Sequence, residues 1–338
     1  MRVAARDGMG RISGVSTKQT AASATVSLAS SVVYMPISRL VKSFNYGNGL
    51  NDWNTYTLDY ETDVLGTYDG PTNVCNVSHT RTDGLNLTNT WDSVTPANNQ
   101  SLWYTPSNRL QNADGPWGQK TFNYDGVGNR TFETTVSGGI TTTDNFQYPS
   151  TSNRVDTVVR GASTIRTLTY DAAGNIATDA RSGTTYGYTY NNRNRLQAVS
   201  AGGVPQATYV YDANEQIAIR DSLVAPAGVT HYVHDIFGNV IAETAGGGAT
   251  GATGTVRDYI WLYETEIAPT FASRTTVDRP LAVVNAVNTA SPATWWVSVD
   301  HLNRPVKMTN SAKAAVWTAV WQPRGAFLRR QVSGRLTL

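Results

Sequence analysis

The sequence predicts an all-β fold of stacked hairpins, and three observations predict it. The chain holds 45 Thr, 17 Tyr and 9 Trp among 338 residues, and β-branched and aromatic side chains suit a pleated, half-wet surface. Only 15% of residues are charged, well under the usual quarter, so polar contacts fall largely to hydroxyls and amides. Finally, an aromatic or imidazole residue closing a short β-type run recurs at Tyr104, Tyr124, Tyr148, Tyr170, Tyr190, Tyr211, His234 and Tyr259, at spacings of 20 to 25 residues. A poor supply of Leu, Glu and Lys argues against helical bundles.

In chain order, Arg6-Asp7-Gly8-Met9-Gly10-Arg11-Ile12 is the repeat unit with Arg in the aromatic place, so the array opens inside a repeat. Residues 13 to 43 are Ser/Thr/Ala-rich with strand-like pieces, and Tyr46-Gly47-Asn48-Gly49-Leu50 is a tight-turn signature. The repeats are clearest over 104–260. The full unit reads Tyr-Asp-x-x-Gly-Asn. It occurs as Tyr124, Asp125, Gly128 and Asn129, as Tyr170, Asp171, Gly174 and Asn175, and as His234, Asp235, Gly238 and Asn239. Degenerate units fill the gaps: Tyr104 leads to Asn108-Arg109-Leu110, Tyr148 to Asn153-Arg154-Val155, Tyr190 to Asn194-Arg195-Leu196, and Tyr211-Asp212 to Glu215-Gln216-Ile217. Residues 263 to 292 read as loop-like, with Pro269, Pro280 and Pro292. No helix longer than two turns is expected, and no linker divides the chain.

Each unit has the logic of a hairpin. Thr167-Leu168-Thr169-Tyr170 alternates like a strand, Asp171 can accept from backbone amides two residues on, and Gly174 supplies the positive φ that reverses the chain. A second strand follows, as in Asn175-Ile176-Ala177-Thr178. Two strands alone are marginal, so neighbouring units must stack into a continuous sheet, with tyrosines in cross-strand ladders and the turns along one edge.

The remaining chemistry is sparse. A net charge of +2 builds no field to collect phosphates, so nucleic acid is not an expected partner. The single Cys75 cannot form an internal disulfide, and 4 His leave little for a metal site. The N-terminus lacks a basic-then-apolar signal pattern, and the run from Ala21 to Val33 is too rich in Ser and Thr to span a membrane. His231 and His234 diverge on a strand. Asp300 beside His301 looks like half of a catalytic pair, but no nucleophile motif accompanies it. Asp125, Asp171, Asp212 and Asp235 supply one carboxylate per turn, which suits turn capping better than the six to eight oxygens calcium requires. Gly246-Gly247-Gly248 is followed by neither a Lys-Ser/Thr nor a helix and is no phosphate loop. The sequons at Asn76 and Asn86 are expected by chance in so Thr-rich a chain. No catalytic residue, cofactor or metal ligand is predicted, and the chain is expected not to be an enzyme.

The Tyr-Asp-x-x-Gly-Asn series resembles the RHS/YD-repeat proteins, the family of bacterial RHS elements, toxin-complex shell subunits and the YD shell of teneurins. A second stretch is similar to the opening of that family's RHS-associated core: Asp300, His301, Leu302, Asn303, Arg304 and Pro305, then Thr309, Val316 and Trp317, then Gln322, Pro323, Arg324 and Gly325. Asn303 stands where the family has Gly, and Arg324 where it has an aromatic residue. The resemblance implies a strand that spirals into a hollow shell, with 1–292 as the repeat region, 293–325 as the start of the core and 326–338 as a divergent tail. It also implies a non-enzymatic shell segment that encloses or presents a polypeptide toxin in bacterial competition, secreted or at the cell envelope, with secretion-apparatus or cell-surface partners. The family's self-cleavage motif and toxin domain are not found after the core, so the expectation is a shell truncated before them. The alternatives are a cell-surface carbohydrate-binding or adhesion protein that stacks sugars on exposed Trp and Tyr, and a truncated product without a function of its own.

Overall fold

A computed structural model describes residues 2–18, 23–36, 38, 40–225, 227–246, 256–265, 276–287, 289–322 and 327–332. The chain is all-β. Among the described residues there are 28 strands and one three-residue 3-10 helix, Pro96–Asn98. Each ladder between described strands is antiparallel and joins strands adjacent in sequence, so the backbone meanders from hairpin to hairpin. No helix among these residues is long and apolar enough to cross a membrane. The chain divides into two compact units, one made of residues 102–255 and the other of 1–101 together with 256–338.

The unit of 102–255 carries the clearest repeats. Its hairpins pair Gly118–Tyr124 with Arg130–Ser137, Ser163–Tyr170 with Ile176–Arg181, Thr184–Tyr190 with Leu196–Ala201, Val204–Tyr211 with Ile217–Ser222, and Gly228–His234 with Val240–Ala245. In each, the repeat aromatic or imidazole residue is the last of its strand, and the register shifts at the step just before it. Such a bulge bends the strand into its turn.

Strand alternation gives this unit two unlike faces. One carries charge already paired across strands: Lys120 with Glu133 (2.6 Å), Arg160 with Asp144 (2.6 Å) and Arg166 with Asp179 (2.8 Å). The other carries hydroxyls and amides, with Thr121 donating to Asn112 at 2.9 Å and the pairs Thr134–Thr143 and Thr169–Thr178 at 2.9 and 2.6 Å.

The other unit builds the larger apolar core. Leu28, Phe44 and Leu50 meet Leu262, Leu281 and Trp296, all at or below 5% exposure, and a second cluster gathers Val297, Met308 and Trp317. Full burial of one such side chain contributes about 1.5–3 kcal/mol. Polar bonds tie the same two stretches together. The Trp296 indole donates to the Leu28 carbonyl (3.1 Å), Tyr46 donates to the Val297 carbonyl (2.7 Å), and the hydroxyls of Thr67 and Ser298 meet at 2.9 Å.

The loop-like reading of 263–292 is corrected in part, because Val256–Thr265 and Thr276–Asn285 form a long hairpin. Pro280 is tolerated inside a strand for two reasons. It sits where the ladder to Trp261 shifts register, and on its other side pairing to Ala293–Val299 begins only at Ala282. Pro292 lies outside the strands, and Pro269 lies outside the described residues.

Candidate functional site

One turn structure follows most of the repeat positions. Tyr148 differs, because Pro149 after it has no N–H to give, and the reading of Tyr259 as a strand end is corrected, since it lies inside the strand Val256–Thr265. Asp125 N–H donates to the Asn129 carbonyl (2.9 Å) and Gly128 N–H to the Asp125 carbonyl (3.1 Å). The same pair of bonds closes turns opening at Asp7, Thr57, Thr82, Thr105, Asp171, Asn191, Asp212, Asp235 and Asp300. Asp125 Oδ1 also accepts from the amides of Val127, Gly128 and Asn129, and its Oδ2 accepts from Asn129 Nδ2. Asp171, Asp212 and Asp235 cap their turns likewise. The Asn175 side chain, together with backbone amides, holds the Asp171 carboxyl below the usual carboxylate range.

Adjacent turns are joined along this edge. Asn129 donates to Asn153 (3.0 Å), Asn175 to Asn194 (3.1 Å), and Arg195 to Glu215 (2.8 Å). The glycine in the full unit serves this contact as well as the turn. Gly174 has φ +91, and a Cβ there would lie 2.3 Å from Arg154 Nη2, contributed by the preceding unit. Gly128 meets Arg109 of its preceding unit in the same way. Full and degenerate units therefore alternate where the glycine of one makes room for the long side chain of the other.

The repeat tyrosines join neighbouring units through their hydroxyls. Tyr124 donates its hydroxyl to the Leu110 carbonyl (2.7 Å), Tyr148 to Arg130 (2.9 Å), Tyr170 to Val155 (2.7 Å), Tyr190 to Ile176 (3.0 Å) and Tyr211 to Leu196 (2.8 Å). The acceptor is always the residue just past the preceding turn, so each unit clasps the one before. Burial pushes the Tyr170, Tyr190 and Tyr211 phenols up, which keeps them protonated as donors. His234 stands at the corresponding strand end.

The clasp exposes units that sequence reading missed. Counting back from Tyr104 at the same period lands on Arg81, Tyr56 and Tyr34. Tyr56 donates to the Val41 carbonyl and Tyr34 to Ile12 (both 2.7 Å), and the Arg81 guanidinium donates to Thr62. Their turns hid because Thr57 and Thr82 replace Asp, and Tyr60 and Leu85 take the positive φ (61° and 63°) that Gly usually takes. The period alone would have found them.

The stretch read as a separate core motif also opens as a repeat turn. Asp300 accepts from Leu302 N–H and Arg304 N–H (2.9 Å each) and from the Arg304 guanidinium (2.7 Å), so its carboxylate is directed into its own turn. Asn303 takes φ 56°, Leu302 sits exposed at the turn, and the Pro305 carbonyl accepts the Trp321 indole N–H at 3.0 Å. Trp317 is 1% exposed within the second apolar cluster. Pro323 and Gly325 lie outside the described residues.

His301 packs instead on His79, rings edge to face with centroids 4.9 Å apart. His79 Nδ1 contacts the Asp63 carbonyl at 3.2 Å, while His79 Nε2 and His301 Nδ1 are buried without a hydrogen-bond partner. Burial pushes both imidazoles down, His79 to about 4. Deeper in the same unit, Arg279 and Asp52 form an ion pair at 2.5 Å. Asn54 donates to the same carboxylate, the Tyr46 hydroxyl lies 3.3 Å from it, and the guanidinium lies over Phe44. Burial pushes the Asp52 carboxyl up, while Arg279, Asn54 and Tyr46 pull it back down.

No family model matches the chain, and no curated protein matches it. Solved structures do. Crystal structures of TcdB2-TccC3, TcdB2-TccC3-TEV and TcdB2-TccC3-Cdc42 superpose on 98% of this chain with TM-scores of 0.74, 0.74 and 0.72, at 13, 13 and 14% identity. This chain shares their fold. It spans 18, 17 and 17% of those chains respectively, so the likeness concerns one part of much larger molecules.

Proposed function

We propose that the chain is a non-enzymatic RHS-repeat shell segment that encloses or presents a polypeptide, with a toxin as the cargo. The fold it shares with TcdB2-TccC3, an RHS/YD-repeat toxin complex, supports this reading. The observation that carries it is the series of clasps from Tyr124 to Tyr211. Hairpins bond to their predecessors through the sheet, and from Tyr124 to Tyr211 through the tyrosine as well, which is how a wall is made from units that are marginal alone. The hydroxyl face of 102–255 is the surface proposed to meet the polypeptide. Its threonines pair with one another and present no strong charge, so a chain can slide over them without being bound tightly.

Photo-crosslinkers at Thr157 and Thr185 on that face, and at Arg160 on the other, test the reading in a fusion of this chain to a disordered polypeptide. Crosslinks from the threonine positions, with slower proteolysis of the fused polypeptide than when it is free, are expected. Proteolysis at the free rate with no crosslinks would remove the enclosing role.

A further inference from the structure

Within the unit of 1–101 and 256–338, one sheet face carries open aromatic rings that belong to none of the repeat positions. Residues directly opposite one another in antiparallel strands share a face. Trp53 stands opposite Gly66, Gly66 opposite Asn76, and Ser78, two residues on from Asn76, opposite Trp91. The other face of these strands holds the buried Asp52, Asn54 and His79, so the tryptophan face is turned away from the core. Trp53 is 50% exposed and Trp91 45%, and neither indole N–H has a hydrogen-bond partner among the described residues.

Between them lies Tyr68, held in an unusual place. It reaches back along its own strand to cover Gly66, where a Cβ would stand 2.2 Å from the Tyr68 hydroxyl. Gly66 has no positive φ to account for it, so what the glycine supplies is room for this ring. Asn76 fixes the ring from the far side, donating to the Tyr68 hydroxyl at 3.1 Å. The hydroxyl keeps its own proton to give, and Asn76 Oδ1 is open to solvent and accepts from no described group.

These features select one kind of ligand. The ladder positions between the rings, Thr55, Val64, Asn76 and Ser78, carry no charge, and at one end the Lys42 ammonium is held over the Trp53 ring at 5.5 Å. Amides and hydroxyls separate the rings, so the face is not the continuous apolar patch that docks a protein or sinks into a lipid surface. Rings that offer an apolar surface, set among groups that donate and accept, fit the C–H faces and hydroxyls of sugars. Three strand-to-strand steps separate Trp53 from Trp91, about 14 Å. One sugar ring does not cover that span, and a chain of sugars does.

We infer that this face is a platform for a neutral polysaccharide laid across the strands over Trp53, Tyr68 and Trp91. The inference stands apart from the polypeptide-enclosing role, because it uses none of the surface of 102–255. It also differs from sugar stacking on the repeat tyrosines, whose hydroxyls are engaged by the clasp.

The test is retention of the full chain in affinity electrophoresis and pull-down with neutral β-glucans, xylan, mannan and chitin, set beside heparin, polygalacturonate and phosphatidylcholine vesicles. Retention on at least one neutral polysaccharide is expected, equal at low and high salt. Trp53→Thr and Trp91→Thr, which put a strand-forming residue in place of an exposed ring, are each expected to weaken it at least tenfold with Tm unchanged. Leu58→Ala, at a fully exposed turn, is expected to leave it as it was. Tyr68→Phe keeps the ring and removes the hydroxyl, and it is expected to weaken retention less than either tryptophan change; should those lower Tm, it carries the test alone. No retention on a neutral polysaccharide, retention that survives the substitutions, or retention confined to the anionic polymers or the vesicles would each overturn the inference.

Discussion

The Arg154 guanidinium fills the space a side chain on Gly174 would need: a Cβ on the glycine would stand 2.3 Å from Arg154 Nη2. Gly174→Ala must both move this arginine and hold φ +91 with a side chain. A loss of about 1–3 kcal/mol is expected by chemical denaturation. Arg154→Ala in the same background should restore the steric part and leave the backbone part, so no recovery at all would refute the packing account.

Tyr170→Phe keeps the ring and removes the 2.7 Å bond to the Val155 carbonyl. A cost of about 0.5–1.5 kcal/mol is expected. Tyr→Phe at Tyr124, Tyr190 and Tyr211 should cost similar amounts. Equal stability of wild type and the fourfold variant would show that the clasp contributes nothing.

Asp52 and Arg279 are buried together, so breaking the pair from one side leaves a charge stranded. Arg279→Met is expected to destabilise by about 3–5 kcal/mol, and adding Asp52→Leu should recover part of the loss. A double variant less stable than Arg279→Met alone would contradict this.

The His79 imidazole sets a pH dependence. Burial, with help from His301 and Arg81, lowers it to about 4, against an ordinary value near 6.5. The unfolded chain therefore takes up a proton before the folded chain does. Stability is full above about pH 6.5, falls as pH drops toward 4 and levels off below, a loss of about 3 kcal/mol. His79→Phe should flatten that slope, and an unchanged slope would mean other groups set it.

The strand content and the turns were legible because they rest on local chemistry. Tyr170, Asp171 and Gly174 announce an aromatic strand end, a capping carboxylate and a positive φ within five residues. Thr57, Thr82 and Asn303 perform the same tasks with less usual residues, so motif matching passed over two of them and assigned the third to a different element. The ion pair of Asp52 with Arg279 and the contact of His79 with His301 join residues more than 200 positions apart. No local pattern encodes such pairs, and Pro280 shows a local rule yielding to a ladder that is already shifted where it sits.

The direction of the clasp has a consequence for the order of assembly. From Tyr124 to Tyr211 the donor is always synthesised after its acceptor, by 14 to 18 residues. A nascent chain growing through 102–255 can thus lock each hairpin onto one already made, and nothing later in the sequence is required to finish it. The other unit has clasps of the same direction at Tyr34 and Tyr56 but adds contacts of the opposite kind. Leu28 waits for Trp296, and Asp52 for Arg279, separations of 268 and 227 residues, so its first hundred residues leave the ribosome with their apolar side uncovered until nearly the whole chain exists. The early strands are consequently the stretch a chaperone would have to shield during synthesis. Ribosome-stalled chains ending near residue 255 should show protected amides in the repeats and little protection around Phe44.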